Sequence, residues 1–366
     1  MKFLFTGDWH LDAITAGVER FDDVSTSLDW VARVAQEEGV AHVIFLGDLC
    51  DPDANRAPRC VARAIGFAEH LHETGINTWW LTGNHDVIED GSGTSTLVPL
   101  GAAGHNLVDT PRVESLYGVS FAFLPFVPRS KAYDPVDFIE RASTSVSGPV
   151  IIAGHLSSRD IEPGSETHEM GRGRDQWIPL DAIKERFKDR ALVVNGHYHQ
   201  WQTEGVLLPG SLERLTFGEE ANEPSVAIVE VTSHATRPKF SIKRVKNPHS
   251  RKLKTYQEHD AIWESGGEIA SPKERDTIVR LKPPASADQD RIASVVENMK
   301  LATAAIKFVP PMQDSVATNK PVQKAVQQKA RPREVVMSLI ERVNSLEFDK
   351  ADLLRVMEEI MDSEGI

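Results

Sequence analysis

The sequence predicts an α/β fold: a sandwich of two mixed sheets flanked by helices, then a small α+β domain and a C-terminal helical pair. Three observations predict it. Short apolar runs alternate with helical periodicity through the first ninety residues. Further apolar runs, with few helices between them, continue to about residue 245. From residue 276 a strand-helix-strand pattern gives way to a Lys/Gln/Ala-rich stretch and two amphipathic patterns.

Residues Lys2–Thr6 read as a short buried strand, and Phe21, Val24, Leu28, Val31 and Val34 then recur at helical spacing up to Gly39. Residues 42–46 form a second buried run. Val61, Ala64, Ala68 and Leu71 mark a second helix closed by Gly75, and Asn77–Leu81 is a third strand. This alternation is the pattern of parallel strands covered by helices. Apolar runs follow at 121–127, 150–153, 191–194, 206–208, 225–231 and 239–245, so the sheet is expected to continue into a mixed or antiparallel half. Residues 276–281, 287–299 and 304–309 read as a strand-helix-strand module ended by Pro310-Pro311. Residues 319–331 have a linker composition. The expected domains are 1–255, 256–310 and 311–366.

Hydrophobic residues make up 40% of the 366, enough for a sizeable core, which excludes a mainly disordered chain. No apolar run reaches the ~18 residues a spanning helix needs. The start of the chain lacks a signal-peptide pattern. With 2 cysteines, Cys50 and Cys60, a disulfide framework is excluded, and a cytoplasmic location is expected. The net charge of -13 argues against nucleic acid, but it is unevenly spread. Residues 237–254 carry eight Lys/Arg and no acid, and residues 315–333 carry five more, again without an acid. Phosphate contacts depend on local charge, so the average does not exclude DNA.

The chemistry-bearing residues fall at the ends of predicted strands. They are Gly7-Asp8-Trp9-His10, Gly47-Asp48-Leu49-Cys50-Asp51, Gly83-Asn84-His85-Asp86, Gly154-His155 and Gly196-His197-Tyr198-His199. In open α/β sheets the crevice at the carboxyl ends of strands is where sites are built. In an extended chain residues i and i+2 point the same way, so Asp8 with His10, and His197 with His199, are each expected to reach one pocket. A donor set of carboxylates, imidazoles and one amide oxygen suits Mn²⁺, Zn²⁺ or Fe²⁺. Asp48 is the natural bridging ligand, because a carboxylate can touch two cations.

These five motifs, in order over residues 8–199, resemble the calcineurin-like metallophosphoesterases, with their D-x-H, GDxxD, GNH(D/E), H and GHxH pattern. The resemblance implies that family's sandwich and a site for two divalent metal ions, Mn²⁺ first, with Mg²⁺, Fe²⁺ or Zn²⁺ as alternatives. One ion would be held by Asp8, His10, Asp48 and His199, the other by Asp48, Asn84, His155 and His197. Hydroxide would attack phosphorus in line, and His85 would protonate the leaving oxygen as general acid. Asp51 and Asp86 would stand behind the ligands, Asp51 where archaeal and eukaryotic relatives carry histidine.

A second segment, Leu208-Pro209-Gly210-Ser211-Leu212-Glu213-Arg214-Leu215-Thr216-Phe217-Gly218-Glu219, is similar to the PGSxER-x-x-FGE segment of the SbcD-type DNA repair nucleases. That resemblance implies a DNA exonuclease/endonuclease working on ends, hairpins or single strands. It also implies a homodimer and a partner, an SMC-like coiled-coil ATPase of the SbcC type, and gives the module at 256–310 the role of a DNA-channel cap. Arg172, Arg174, Arg214, Lys243, Arg244 and Lys246 are the expected DNA contacts. For the partner, Val336, Leu339, Ile340 and Val343 form one helical stripe, and Leu353, Leu354, Met357 and Ile360 a second. Trp9 is expected in the core; Trp201 is equally open to a base-stacking or a structural role. The competing functions are a phosphoesterase for a nucleotide or phosphoprotein and a noncatalytic scaffold. The basic runs and the tail weigh against the first, and the intact ligand set against the second.

Overall fold

The computed structural model describes residues 1–88, 94–127, 132–158, 161, 176–232, 238–267 and 276–309. Strand β1 (Lys2–Thr6) is followed by a two-stranded hairpin, β2 (Ile14–Thr15) and β3 (Val18–Glu19), and by helix α1 (Phe21–Glu37). Then come β4 (His42–Phe45), α2 (Ala57–Glu73), β5 (Asn77–Leu81), α3 (Val98–Ala102) and β6 (Asn106–Val108). The second half of the sandwich is built from β7 (Arg112–Leu116), β8 (Val119–Leu124), α4 (Pro135–Ser145), β9 (Val150–Gly154), α5 (Leu180–Phe187) and β10 (Ala191–Asn195). Two long strands, β11 (Ser225–Thr232) and β12 (Lys239–Lys246), return to the first sheet.

The first sheet has the order β12-β11-β1-β4-β5-β6. Its β1, β4, β5 and β6 are parallel, while β11 and β12 add antiparallel. The second sheet, β10-β9-β8-β7, is parallel except for β7. The mixed sandwich expected from the sequence is therefore present. Strand alternation fills its layers. Phe3, Phe5, Ile44, Leu46, Trp79 and Leu81 meet Phe121, Phe123 and Ile151 between the sheets. Leu4, Val43, Phe45 and Trp80 turn the other way, into the core with Val24, Leu28, Ala64 and Ala68.

Besides the short α3, helices α4 and α5 were not legible in the apolar pattern. Ile139 of α4 and Leu180, Ile183 and Phe187 of α5 pack with Ala122, Val150, Ile152 and Val193 of the second sheet. The available signal for α4 was Asp134-Pro135, where Asp134 caps the backbone N–H groups of Val136 and Asp137 and Pro135 opens the first turn. Conversely, the run at 206–208 makes only isolated bridges, Leu207 to Val194 and Leu208 to Gln202.

The strand-helix-strand module is β14 (Ile278–Leu281), α6 (Gln289–Ala302) and β15 (Ala305–Phe308). A third parallel strand, β13 (Leu253–Tyr256), joins it, so residues 253–255 are hydrogen-bonded into the small sheet rather than the sandwich. Tyr256, Trp263, Val279, Leu281, Val295 and Met299 form its core. The expected linker and helical tail, residues 311–366, lie outside the described residues.

A buried ion network ties α1 to the segment after β10. Arg20, fully buried, donates to Glu213 at 2.9 Å, to Asp23 at 2.7 Å and to the Arg214 carbonyl at 2.6 Å. Glu213 also accepts from Ser27 at 2.8 Å and from the Arg251 N–H at 2.9 Å, and the Arg251 guanidinium grips Asp23 with two bonds of 2.6 Å. Removing one partner from a buried pair strands the other charge, which costs about 3–5 kcal/mol. Arg20→Met is expected to destabilise the chain by about that much in urea unfolding; a loss below about 1 kcal/mol would show the network to be energetically neutral.

Candidate metal centre

Five strand ends converge on one crevice. β1 delivers Asp8 and His10, β4 delivers Asp48, β5 delivers Asn84 and His85, β9 delivers His155, and β10 delivers His197 and His199. Backbone bonds zip the first two loops together: Asp8 N–H to Gly47 O, Trp9 N–H to Asp48 O and Leu11 N–H to Leu49 O, each 2.9 Å. The backbone corrects the expectation that i and i+2 converge through extended chain. Asp8 (φ 51°), His10 (φ 42°), Asp48 (φ 61°) and His197 (φ 75°) all adopt the left-handed conformation. That conformation is costly for residues other than glycine and clusters at functional sites. Trp9, between the two ligands of its motif, is buried edge-on against Phe45, Phe67 and Trp80, and donates to Thr6 Oγ1 at 2.9 Å.

Glycine is required where the loops pass closest. A Cβ on Gly83 would overlap Asp48 Oδ1, and one on Gly47, itself at φ +105°, would lie 2.5 Å from His155 Nδ1. Either side chain would push apart two strand ends that the site needs together.

Among the described residues, three groups of side chains bring potential ligand atoms within 4.8 Å of one another: Asp8, His10 and His199; His10, Asp48 and His85; and Asp48, His155 and His197. Asp48 belongs to two of them, with Oδ2 3.8 Å from His10 Nε2 and 3.1 Å from His155 Nε2. Asn84 Oδ1 lies 3.0 Å from His155 Nε2, which places the amide oxygen in the third group. His10 Nε2 is buried without a hydrogen-bond partner, as a lone pair reserved for a cation would be. The donor set therefore fits divalent metal. Cys50 contributes no thiolate, because its thiol meets Cys60 in the core, and that contact and burial push its pKa far up.

Protons balance charge in the metal-free chain. Burial lowers His155, but the Asp48 charge beside it outweighs this and raises it to about 9. Burial pulls His10 down to about 3, with His85 adding to the fall, and pushes Asp8 up to about 6. Asp48 is held well below the carboxylate range, burial being overcome by His155 and His85. Loading divalent ions would displace the proton on His155, so binding is coupled to proton release.

Around the ligands stand the groups that aim them. Asp86 accepts from the backbone N–H groups of Asp48 (2.9 Å), Leu49 (2.8 Å) and Gly83 (2.8 Å). His155 donates Nδ1–H to the Leu46 carbonyl at 2.6 Å, so Nε2 is the nitrogen that would give up its proton to a metal ion. Asp51 accepts from His85 Nδ1 at 2.6 Å. Sequence reasoning missed one such group: Glu219 accepts from His199 Nδ1 at 3.2 Å. Its signal was the FGE end of the segment at 208–219, read there only as a marker.

The expected DNA contacts that fall among the described residues are engaged within the chain. Lys243 pairs with Glu38 at 2.6 Å on one face of β12, while Lys246 pairs with Glu223 at 2.7 Å on the other. Arg244 donates to the Glu223 carbonyl at 2.5 Å and covers the ring of the half-buried Trp201 at 4.9 Å. Arg214 is half-buried and donates to Ser250 and to the Arg251 carbonyl. Arg172, Arg174 and all the tail positions lie outside the described residues.

The family model of the calcineurin-like phosphoesterases matches residues 1–229. The SbcD subunit of nuclease SbcCD from Escherichia coli strain K12 is 28% identical over 265 residues, 63% of this chain and 64% of that protein. Its counterpart from E. coli O157:H7 gives the same figures. The chain thus spans less than two thirds of these relatives' length, at 64%. Among solved structures, a dimetal phosphatase from Danio rerio is similar at 12% identity with a TM-score of 0.40, covering 68% of this chain and 99% of its own.

Because Asp48 is common to two of the ligand groups, Asp48→Ala is expected to abolish occupancy of both ions together. Elemental analysis finding two ions per chain at wild-type affinity would remove the shared role.

Proposed function

We propose a DNA nuclease function for this chain, which belongs to the calcineurin-like phosphoesterases, a family of metal-dependent hydrolases. The observation that carries the narrower reading is the 28% identity to the SbcD subunit of nuclease SbcCD over 63% of the chain. The segment from Leu208 to Glu219 supports it, since its Arg214 and Glu213 are built into the sandwich and its Glu219 into the site. No helix among the described residues is long and apolar enough to cross a membrane.

Two divalent ions, Mn²⁺ in first place, would supply Lewis acidity at the phosphoryl oxygens and a nucleophile from water. Asp8, His10, Asp48 and His199 would hold one ion and Asp48, Asn84, His155 and His197 the other. His85 would act on the departing oxygen. Its backbone N–H is tied to Asp48 at 2.9 Å and its Nδ1–H to Asp51, so the proton it can give sits on Nε2. With no cation beside it, burial lowers its pKa, but Asp48 and the hydrogen bond to Asp51 raise it to about 10; the bond to Asp51 is the one that would still hold the ring when cations neutralise Asp48.

The deciding measurement compares Mn²⁺-dependent cleavage of hairpin DNA with hydrolysis of a small aryl phosphodiester. Cleavage of the hairpin is expected, and hydrolysis of the aryl ester alone would return the chain to the general phosphoesterases. General-acid help is worth about 10²–10⁴-fold, so His85→Gln should lose that much turnover with both ions still bound. An unaltered rate would take His85 out of the mechanism.

The partner proposed for the tail is a coiled-coil ATPase of the SbcC type, since two amphipathic helical patterns cannot enclose both of their own apolar stripes. Residues Met1–Pro311 form a compact unit by themselves. Deleting residues 332–366 should therefore leave a folded, metal-binding protein that no longer retains the ATPase in co-purification. Retention at full affinity would place the docking surface elsewhere.

A further inference from the structure

The turn after the Leu208–Phe217 segment faces two ways. Inward, Glu219 is 1% exposed and its carboxylate accepts three bonds. They come from His199 Nδ1 at 3.2 Å, the Leu215 N–H at 2.9 Å and the Thr216 hydroxyl at 3.1 Å. The backbone N–H of Leu215 can only donate, and with the hydroxyl and the ring nitrogen it surrounds both oxygens with donors, so the carboxylate serves as acceptor. The His199 proton is thereby placed on Nδ1 and the lone pair on Nε2. Asn222, at the end of the turn, donates to the His199 carbonyl at 3.4 Å.

Outward, the same few residues hold the three-stranded module. Phe217 packs with Leu253 of β13 and Ile278 of β14, and the Arg280 guanidinium lies 4.8 Å over its ring. Glu220 accepts the Thr255 N–H of β13 at 2.9 Å. Phe217, Gly218 and Glu219 form a single 3₁₀ turn closed by Glu219 N–H to Thr216 O at 3.0 Å. A shift of β13 that moved Phe217 or Glu220 would therefore also move the carboxylate that aims His199.

We propose that Glu219 is the positioning residue of the metal subsite formed by Asp8, His10 and His199, and that its turn makes that subsite depend on the three-stranded module. The proposal rests on reading those side chains as metal ligands, and not on the identity of the substrate. A carboxylate behind a histidine ligand fixes its tautomer and ring orientation, and losing such a partner typically costs about 10–100-fold in metal affinity.

The test is Mn²⁺ titration of the full chain, followed by calorimetry and by the electron paramagnetic resonance of the free ion, with no DNA present. Glu219→Ala is expected to weaken one of two ions about 10–100-fold and to leave the other near wild type. Glu219→Gln, which keeps an acceptor oxygen for Nδ1–H, should recover most of that loss. A role in folding alone would lower the melting temperature of the metal-free variant without separating the two ions. Phe217→Ala, which touches no ligand, should weaken the same ion several-fold. If the Ala variant does not fold, Glu219→Asp, which withdraws the carboxylate by one methylene, takes its place with the same expectation.

Two ions bound at wild-type affinity by the folded Ala or Asp variant would overturn the positioning role. Unchanged binding by Phe217→Ala would overturn the dependence on the module. A wild-type chain that binds no Mn²⁺ would overturn the metal-centre reading and this proposal with it, whereas a chain that binds Mn²⁺ and ignores DNA would overturn only the nuclease reading.

Discussion

The carboxylate of Asp86 is the constraint on which the site is built. It is fully buried and accepts three backbone N–H groups from two strand-end loops, those of Asp48 and Leu49 after β4 and that of Gly83 after β5. Unpaired, those donors would each carry a desolvation cost of about 1–3 kcal/mol. Paired, they bring the loops so close that only glycine fits at position 83. Burial and the neighbouring Asp48 push the Asp86 carboxyl up to about 7, against the pull of its donors. The group that organises the site is thus itself held under electrostatic tension.

The same tension runs through the ligands. Asp8, His10, Asp48 and His197 hold a left-handed backbone that costs about 1–3 kcal/mol each. Carboxylates and imidazoles are packed where burial disfavours their charged forms. The scaffold that sustains this is the layer of Phe3, Phe5, Trp79, Phe121 and Phe123 between the sheets, with the Arg20–Glu213 network locking α1 to the return segment. Cations would relieve the repulsion among the ligands, so metal loading and stability are linked.

Much of the fold was legible locally. Helical spacing in α1 and α2 and the apolar runs of β1, β4 and β5 are properties of short windows, because one buried face repeats with the period of its element. The run at 206–208 misled for the same reason: apolar composition marks burial, and Leu207 and Leu208 are buried without a continuous ladder. Helices α4 and α5 escaped because their apolar stripes are short, two or three residues each, and only the cap at Asp134 announces one of them.

The ligand set was legible for a different reason. Metal ligands must be Asp, His or Asn, and each motif sits directly after a strand, so residue type and place were both written in the chain. How the ligands converge was not, because left-handed turns at Asp8, His10 and His197, not strand alternation, aim them. Charge runs were the least informative feature. The sequence by itself determined that Lys243, Arg244, Lys246 and Arg251 are basic. Only the tertiary structure decided that Glu38, Glu223 and Asp23, each far away in the chain or across a turn, would meet them. Glu219 shows the same limit from the other side: its chemistry is visible in isolation, but its partner lies twenty residues back, on the end of another strand. Residue chemistry and short-range periodicity are local, and the sequence determines them; which charge meets which ligand depends on chain segments that only the folded sheets bring together.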